Sequence, residues 1–257
     1  MAFWRGRFVW YELMASDMPA AETFYREVVG WRSRASGVAD VDYTMFTVDD
    51  QPVCGAMDLP ATARKMGIPP QWLGYIAVDD VDTLAADIVI EGGVVHRAAA
   101  DIPGIGRFAI VGDPQGATFA LFHAAGGDRP PAAAIGTPGH VGWHELYAEN
   151  GETAFSFYSR TFDWQLNRDV DLGAMGNYRI FGIDGVDMGG IMKRPAAMQR
   201  PMWMFYFNVP AIGAAAERVT AAGGKVLFGP TEVPGGAWIL QCVDPQGALF
   251  ALTAAGR

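Results

Sequence analysis

The sequence is organised around one stretch that occurs twice. Residues 6–25 read GRFVWYELMASDMPAAETFY, and residues 139–158 read GHVGWHELYAENGETAFSFY. Trp-x-Glu-Leu and a later Phe-Tyr pair stand at the same spacing in both stretches. Further along, Asp-Pro-Gln-Gly-Ala begins at Asp113 and again at Asp244. An internal repeat has to be settled before any fold is assigned. We interpret the chain as a duplicated domain.

Bulk composition describes a well-cored globular protein. The chain has 257 residues, of which 51% are hydrophobic and 18% charged, enough for two domains of ordinary size. It shows neither the pattern of a signal peptide nor an apolar run long enough for a membrane span. Cys54 and Cys242 are expected to be reduced core thiols, so we predict a cytoplasmic protein. A formal net charge of −9 argues against a nucleic-acid partner.

The local patterns predict one unit that recurs. Residues 8–15 read as a strand, and Asp17 can cap a helix that has Pro19 in its first turn and Gly30 after its end. Three short strand candidates follow, separated by Gly, Asp and Pro. A second strand and helix, capped by Asp80, then open another set of the same order. Each set is a β-α-β-β-β unit.

The second copy repeats this order, with Asn150 as the first helix cap. Four β-α-β-β-β units in two domains give an α+β fold. Residues 125–138 are rich in Ala, Gly and Pro and have no periodicity, which is typical of a linker. We therefore predict a first domain over residues 1–124, a linker over 125–138 and a second domain over 139–257.

Three features together carry a resemblance to a known family. They are a strand followed by Asp, a helix that ends near Phe-Tyr, and an Asp-Pro-x-Gly turn before a final strand. This arrangement resembles the vicinal oxygen chelate superfamily, which includes glyoxalase I, extradiol dioxygenases and bleomycin-resistance proteins, and specifically a tandem two-domain glyoxalase-like member. The resemblance implies that the four units form two cup-shaped sheets, with the ligand inside a cup.

The resemblance also implies where metal ligands would stand. Counting from the helix caps and from the Asp-Pro-x-Gly turns, those positions hold Trp10, Leu73, Trp143, Met204, Ala120 and Ala251. A divalent metal needs at least three nitrogen, oxygen or sulfur ligands at fixed geometry, which Trp, Leu and Ala side chains do not supply. We therefore expect no metal and no cofactor.

Side-chain alternation along the strands predicts what lines each cup. Trp10 and Glu12 share a face, as do Trp143 and Glu145. The predicted ligand-binding residues are Trp10, Leu73, Phe122, Met57, Trp143, Met204 and Met192. The predicted acid–base or hydrogen-bonding residues are Glu12, Glu145, Tyr75 and Tyr206. An apolar cavity with a few convergent polar groups is the usual composition of a small-molecule site.

Each of these residues also has a purely structural interpretation. A buried Glu paired with a hydroxyl or a backbone N–H is simply satisfied, and a Trp can be plain core. Duplication copies structural and functional residues alike, so the repeat leaves both interpretations open. His144 falls on the face opposite Glu145 and is expected to be a satisfied structural histidine.

Three functions remain open at the level of sequence. The first is a metal-independent protein that binds an aromatic or amine-bearing metabolite or antibiotic. The second is an enzyme of secondary or aromatic metabolism, an isomerase, cyclase or hydrolase with a Glu as acid–base group. The third, a metal-dependent lyase or dioxygenase, is disfavoured by the missing ligands. The predicted partner is a small molecule, with no nucleic acid and no membrane, and a monomer or homodimer is expected.

Overall fold

The computed structural model describes residues 4–37, 42–126 and 133–257. The first copy contains, in order, β1 (Phe8–Ala15), α1 (Met18–Val28), β2 (Arg32–Ala35), β3 (Thr44–Val48), β4 (Gln51–Asp58), α2 (Ala61–Lys65), β5 (Gln71–Ala77), α3 (Val81–Ile90), β6 (Val94–Ile102), β7 (Gly106–Gly112) and β8 (Thr118–Ala124).

The second copy repeats the order of the eight strands. It contains β9 (Val141–Ala148), α4 (Gly151–Phe162), β10 (Gln165–Asp171), a one-turn 3-10 helix (Gly173–Met175), β11 (Asn177–Ile183), β12 (Val186–Lys193), β13 (Met202–Asn208), α5 (Ile212–Ala221), β14 (Lys225–Glu232), β15 (Trp238–Val243) and β16 (Leu249–Ala254).

The strands form two eight-stranded sheets, one for each copy. The first has the order β2-β3-β4-β1-β5-β8-β7-β6, and the second has the order β10-β11-β12-β9-β13-β16-β15-β14. In the first sheet β1 runs parallel to β4 and β5 runs parallel to β8. The second sheet repeats both parallel pairs, β9 with β12 and β13 with β16. The predicted α+β fold of four β-α-β-β-β units is confirmed.

Helix starts follow the predicted caps in three of the four units. The Asp17 carboxylate accepts from the backbone N–H of Ala20, and the Asp80 carboxylate accepts from that of Thr83. Asn150 caps α4 in the same way, by accepting from two backbone N–H groups. The short helix α2 was not predicted from the sequence. None of its five residues is buried, so it has no apolar stripe that a pattern could reveal.

The chain divides into two compact units that cut across the sequence copies. Unit 1 comprises Met1–Val9, Gly74–Pro131 and His144–Trp203, and unit 2 comprises Trp10–Leu73, Ala132–Trp143 and Met204–Arg257. Each unit therefore contains one half of each copy. The division of the sequence at residues 125–138 stays a prediction, and residues 127–132 of that linker lie outside the described part of the chain.

A buried hydrogen-bond chain at an Asp-Pro-Gln-Gly turn joins the two halves of unit 2. One carboxylate oxygen of Asp244 accepts from the backbone N–H groups of Gln246 and Ala248, which closes the turn. Its other oxygen accepts from the Tyr25 hydroxyl at 3.1 Å. That hydroxyl in turn accepts from the indole N–H of Trp72 at 2.9 Å. Helix α1, strand β5 and the last turn of the chain therefore meet at one carboxylate.

Unit 1 contains the same chain of bonds with the copies exchanged. The Trp203 indole N–H donates to the Tyr158 hydroxyl at 3.0 Å, and that hydroxyl donates to the Asp113 carboxylate at 3.0 Å. Burial raises the pKa of Asp113 above its ordinary value, and the hydrogen bonds it accepts partly offset this effect. Asp244 in unit 2 is affected in the same direction for the same reason. A buried carboxylate without these donors would be costly.

Removing the phenol hydroxyl should therefore destabilise the fold. Tyr25→Phe leaves Asp244 and Trp72 each without one partner, and we expect the free energy of unfolding to fall by about 1.5–3 kcal/mol. Tyr158→Phe should cost a similar amount. Chemical denaturation measures both, with Ser33→Ala at an exposed hydrogen bond as the control. A cost for Tyr25→Phe no larger than that of Ser33→Ala would contradict the assigned role.

Candidate functional site

In unit 2, the candidate site of the first copy lies where β1 pairs with β4. Glu12 stands opposite Gly55 in this parallel pair. Gly55 has no side chain, and the Tyr43 ring passes over it, because a Cβ placed at Gly55 would overlap the Tyr43 ring and hydroxyl. A glycine is therefore needed at this point of β4. The aromatic ring of Tyr43 then lies beside the face of β1 that carries Trp10 and Glu12.

Tyr43 connects the two predicted residues of β1. The indole N–H of Trp10 donates to the Tyr43 hydroxyl at 2.8 Å, and that hydroxyl donates to the Glu12 carboxylate. Burial raises the pKa of Tyr43 above its ordinary value, and the nearby charge of Glu12 adds to the effect. Tyr43 therefore keeps its proton at neutral pH. Glu12 is 7% exposed, whereas Trp10 and Tyr43 are only half-buried.

The second copy repeats this backbone arrangement in unit 1. Glu145 stands opposite Gly190 in the parallel pair of β9 with β12. The Tyr178 ring lies over Gly190, where an added Cβ would overlap the ring and hydroxyl. Glu145 is buried, at 6% exposure, and Met192 is buried two positions beyond Gly190. The combination of Glu, Tyr and Gly is thus present in both copies.

The remaining predicted residues divide between the units. Tyr75 and Phe122 lie in unit 1, where their ring centroids are 6.3 Å apart. Tyr206 lies in unit 2, where the Gln241 amide donates to its hydroxyl at 2.7 Å. The other predicted ligand-binding residues of unit 2 are Met57, Leu73, Trp143 and Met204. Their roles in binding or catalysis stay predictions.

Sequence reasoning missed three residues of this candidate site: Tyr43, Tyr178 and Gln241. A signal for the first two was present, because Tyr43-x-x-Phe46 recurs as Tyr178-x-x-Phe181. Tyr43 immediately precedes β3, so alternation along a strand could not tell that its ring reaches across Gly55 to β1. No sequence signal distinguished Gln241 from other polar residues in strands.

His144 packs within unit 1. Its ring stacks on Phe8 at a centroid distance of 4.3 Å, and its Nδ1 lies 2.6 Å from the backbone oxygen of Met188. Burial lowers the pKa of His144 to about 4, although the bond to Met188 acts in the opposite direction. His144 is therefore neutral at pH 7 and serves packing.

The side chains near the metal-ligand positions that the family resemblance implies do not fit a metal. Within residues 4–37, 42–126 and 133–257, no group of three or more His, Cys, Asp or Glu is placed to hold a metal ion. The Trp10 nitrogen is a hydrogen-bond donor and is used as one. Burial raises the pKa of the Cys54 thiol, so it stays protonated, whereas metal binding needs the thiolate.

An open groove in unit 2 is formed by the first turns of α1 and by residues near the last Asp-Pro-Gln-Gly turn, including Pro19, Phe24 and Pro245. None of the predicted site residues lines it.

Among the described residues, no helix is both long and apolar enough to cross a bilayer.

The chain belongs to the Glyoxalase/Bleomycin resistance protein/Dioxygenase superfamily. The family model matches it twice, over residues 7–121 and 137–252. CFP32 of Mycobacterium tuberculosis, whose name provisionally calls it a glyoxylase, is 32% identical over 246 residues, which cover 95% of this chain and 92% of that protein. The anthracycline biosynthesis protein DnrV of Streptomyces peucetius is 30% identical over 262 residues, covering 95% of this chain and 91% of DnrV.

Solved structures support the same fold. The Mn(II)-bound glyoxalase from Novosphingobium aromaticivorans superposes with a TM-score of 0.66 at 18% identity, covering 98% of this chain and 82% of that one. The 2,3-dioxygenase LapB from Pseudomonas sp. KL28 gives a TM-score of 0.63 at 15% identity, covering 98% and 92%. At these identities the likeness establishes the fold alone.

The half-buried His144 makes the stability of the protein depend on pH. Its pKa is about 4 in the folded state and near 6.5 when unfolded, so below pH 6.5 the unfolded chain binds the proton first. We expect the free energy of unfolding to fall by ~3 kcal/mol from this group as pH drops from 7 to 4. Urea denaturation of His144→Gln should show a shallower pH dependence.

The control is His96→Gln, at an exposed histidine. It should keep the wild-type pH dependence, because the His144 ring is unchanged in this variant. An unchanged slope in His144→Gln between pH 7 and pH 4 would show that other groups carry the acid sensitivity.

Proposed function

We propose that this protein is a metal-independent small-molecule binding protein that holds an aromatic or amine-bearing metabolite or antibiotic. The observation that supports this most is the hydrogen-bond chain from Trp10 through Tyr43 to Glu12. It places a carboxylate beside two aromatic side chains, on a strand where relatives of this superfamily are expected to hold a metal. Glu145 and Tyr178 offer the same combination in the second copy.

The charge of Glu12 defines the preferred ligand group. The hydrogen bond from Tyr43 comes from a neutral phenol, so it stabilises the carboxylate without cancelling its charge. A buried negative charge next to aromatic rings favours an ammonium group, through ion pairing and cation–π attraction. A planar ligand can in addition stack on Trp10.

Exposure supports a binding role over a purely structural one. The Trp72–Tyr25–Asp244 chain has the same order of groups, and all three of its members are buried. In the chain that ends at Glu12, by contrast, Trp10 and Tyr43 are only half-buried. A small molecule can therefore reach the Trp10–Tyr43–Glu12 chain, and it cannot reach the Trp72–Tyr25–Asp244 chain.

The relatives suggest which ligand to test first. DnrV and the 30% identical DauV of Streptomyces sp. strain C5 are both named for anthracycline biosynthesis. An anthracycline is an aromatic compound, which agrees with the predicted class of ligand. We further propose that the protein is a cytoplasmic monomer or homodimer. The net charge of −9 supports the part of the proposal that excludes a nucleic-acid partner.

A second candidate is an enzyme of secondary or aromatic metabolism. Glu12 or Glu145 would then be the acid–base group, and Tyr75 or Tyr206 the hydrogen-bond donor. The observation in its favour is the bond from the Gln241 amide to the Tyr206 hydroxyl, which orients that hydroxyl. Product formation from a candidate ligand separates this function from binding alone.

Ligand binding can be measured with daunorubicin, a fluorescent anthracycline that carries an amine. We expect Glu12→Gln to weaken binding at the first copy by about tenfold, because an ion pair becomes a neutral contact. N-acetylated daunorubicin lacks the charge and should bind both proteins equally. Glu145→Gln tests the second copy, and Glu27→Gln, at an exposed carboxylate, is the control. The same daunorubicin affinity in wild type, Glu12→Gln and Glu145→Gln would refute binding of the amine by these two glutamates.

Metal independence has its own test. A ligand that binds only the folded state raises the melting temperature. We expect Mn²⁺, Fe²⁺, Zn²⁺ and EDTA each to leave the thermal melt of purified protein unchanged, and elemental analysis to find no stoichiometric metal. A melt that shifts sharply with one metal and reverses with EDTA would return lyase or dioxygenase chemistry to consideration.

A further inference from the structure

The open groove in unit 2 runs along one side of helix α1. Its volume is about 510 Å³, which is within the range of small-molecule sites. Ala20, Thr23 and Glu27 line it and follow one another at the spacing of a single helix face. Asp17 borders it just before α1 begins, and Ala222 borders it directly after α5. The groove therefore lies between α1 and the C-terminal end of α5.

The floor of the groove is held in place by packed rings. Phe24 lines the groove and is only 2% exposed, so it forms the floor. Its ring packs edge-on against Phe250 at a centroid distance of 5.7 Å and against Tyr25 at 5.1 Å. It also lies close to Gly224, where an added Cβ would be 2.9 Å from the ring. Because close-packed rings have little room to move, the groove is formed before a ligand binds.

Unit 1 has an ion pair at the equivalent place. Arg160 of α4 donates to the carboxylate of Glu91, the residue directly after α3, at 2.7 Å. In the sequence repeat, Arg160 corresponds to Glu27, and Glu91 corresponds to Ala222. In unit 1 the protein itself therefore places a cation at the C-terminal end of α3. In unit 2 the corresponding side chain, Glu27, is an anion and faces an alanine position.

The charges around the groove favour a cation at both of its ends. Glu27 has no ion-pair partner among the described residues, and the C-terminal end of α5 beside it carries a partial negative charge. At the other end, the Asp17 carboxylate accepts one hydrogen bond, from the Ala20 N–H. Arg218 of α5 is occupied elsewhere, since it donates to the Val28 carbonyl at 2.9 Å. In the described part of the chain, no Lys, Arg or His lines the groove.

The separation of the two carboxylates determines the class of ligand. Asp17 and Glu27 are ten residues apart along α1, which corresponds to about 15 Å at the rise of an α-helix. A metal ion cannot bridge them, because its ligand oxygens must lie within about 2.6 Å of it. A linear polyamine can bridge them, because methylene chains join its ammonium groups. Small side chains such as those of Ala20 and Thr23 leave room for such a chain.

We propose that the groove binds a linear polyamine. One terminal ammonium group lies between Glu27 and the C-terminal end of α5, and another lies beside Asp17. The methylene chain between them runs along Pro19 and Ala20. This is a second site, separate from the one proposed at Glu12, because Glu12 does not line the groove.

Calorimetric titration of the full-length protein with spermine at low ionic strength tests the proposal. We expect a 1:1 complex. Glu27→Gln should weaken binding about threefold, the size expected for one exposed ion pair. Asp17→Asn, which preserves the helix cap, should weaken it less, since the positive end of α1 opposes a cation there. The matched control Glu152→Gln removes an exposed carboxylate from α4 and should bind spermine as wild type does.

A double variant closes the groove. Glu27→Arg combined with Ala222→Glu transfers the Arg160–Glu91 pair of unit 1 to unit 2. We expect it to lower the affinity for spermine by about tenfold or more, because a cation of the protein then occupies the place of the ligand's ammonium group. Glu12→Gln should leave the affinity for spermine unchanged, which separates this site from the amine site proposed above.

Four results would overturn the proposal. They are no saturable binding of spermine to wild type, undiminished binding in the double variant, a loss in Glu152→Gln equal to that in Glu27→Gln, and an equal loss in Glu12→Gln. The third would indicate non-specific attraction of a polycation to an acidic protein, and the fourth would assign the amine to the site at Glu12. Unchanged thermal melts establish that each variant is folded. The proposed function is measured separately, with daunorubicin, so either proposal can fail without the other.

Discussion

The buried carboxylate of each Asp-Pro-Gln-Gly turn holds together segments from both sequence copies. Asp244 closes its own turn with one oxygen and holds the Tyr25 hydroxyl with the other. Asp113 does the same for Tyr158. Each carboxylate and its tyrosine come from different sequence copies. A unit that satisfies them must therefore contain parts of both copies, which agrees with the division into two compact units.

The same order of groups, tryptophan to tyrosine to carboxylate, serves two physical ends. At Asp244 it is sealed in the core, where an unmet donor or acceptor would cost free energy. At Glu12 the carboxylate is buried, but Trp10 and Tyr43 are accessible. There the hydrogen bonds fix the direction of a charge that a ligand can approach. What separates a structural chain from a candidate site is therefore exposure, and the identity of the groups is the same.

Much of the fold was predictable because its signals are local. Helix caps such as Asp17 and Asn150, the turn at Asp113 and the alternation of strands are all encoded within a few residues. The repeat then supplied the number and order of the units. The composition of the compact units was not predictable, because the Tyr25–Asp244 bond joins residues at opposite ends of the chain.

The candidate site was predictable along each strand and not across strands. Alternation predicted that Trp10 and Glu12 share one face of β1. Both residues form a hydrogen bond with Tyr43, which agrees with that prediction. It could not place Tyr43, because that ring reaches β1 only where Gly55 leaves room. Contacts of this kind depend on which strands are neighbours in the sheet, which the alternation within a single strand does not show. The bonding of Gln241 to Tyr206 escaped prediction for the same reason.

The duplication permits a comparison of the two copies within one chain. They began as the same sequence, and both retain the turn carboxylates and the glycines beneath Tyr43 and Tyr178. These positions are held by the fold, since a change at either one leaves a buried group unsatisfied or two groups overlapping. The register of edge strands β6 and β14 shifts on both sides of one residue, and there the copies differ, with Arg97 in one and Phe228 in the other. The backbone there tolerates either residue, so this position, unlike the turn carboxylates, is not fixed by the fold.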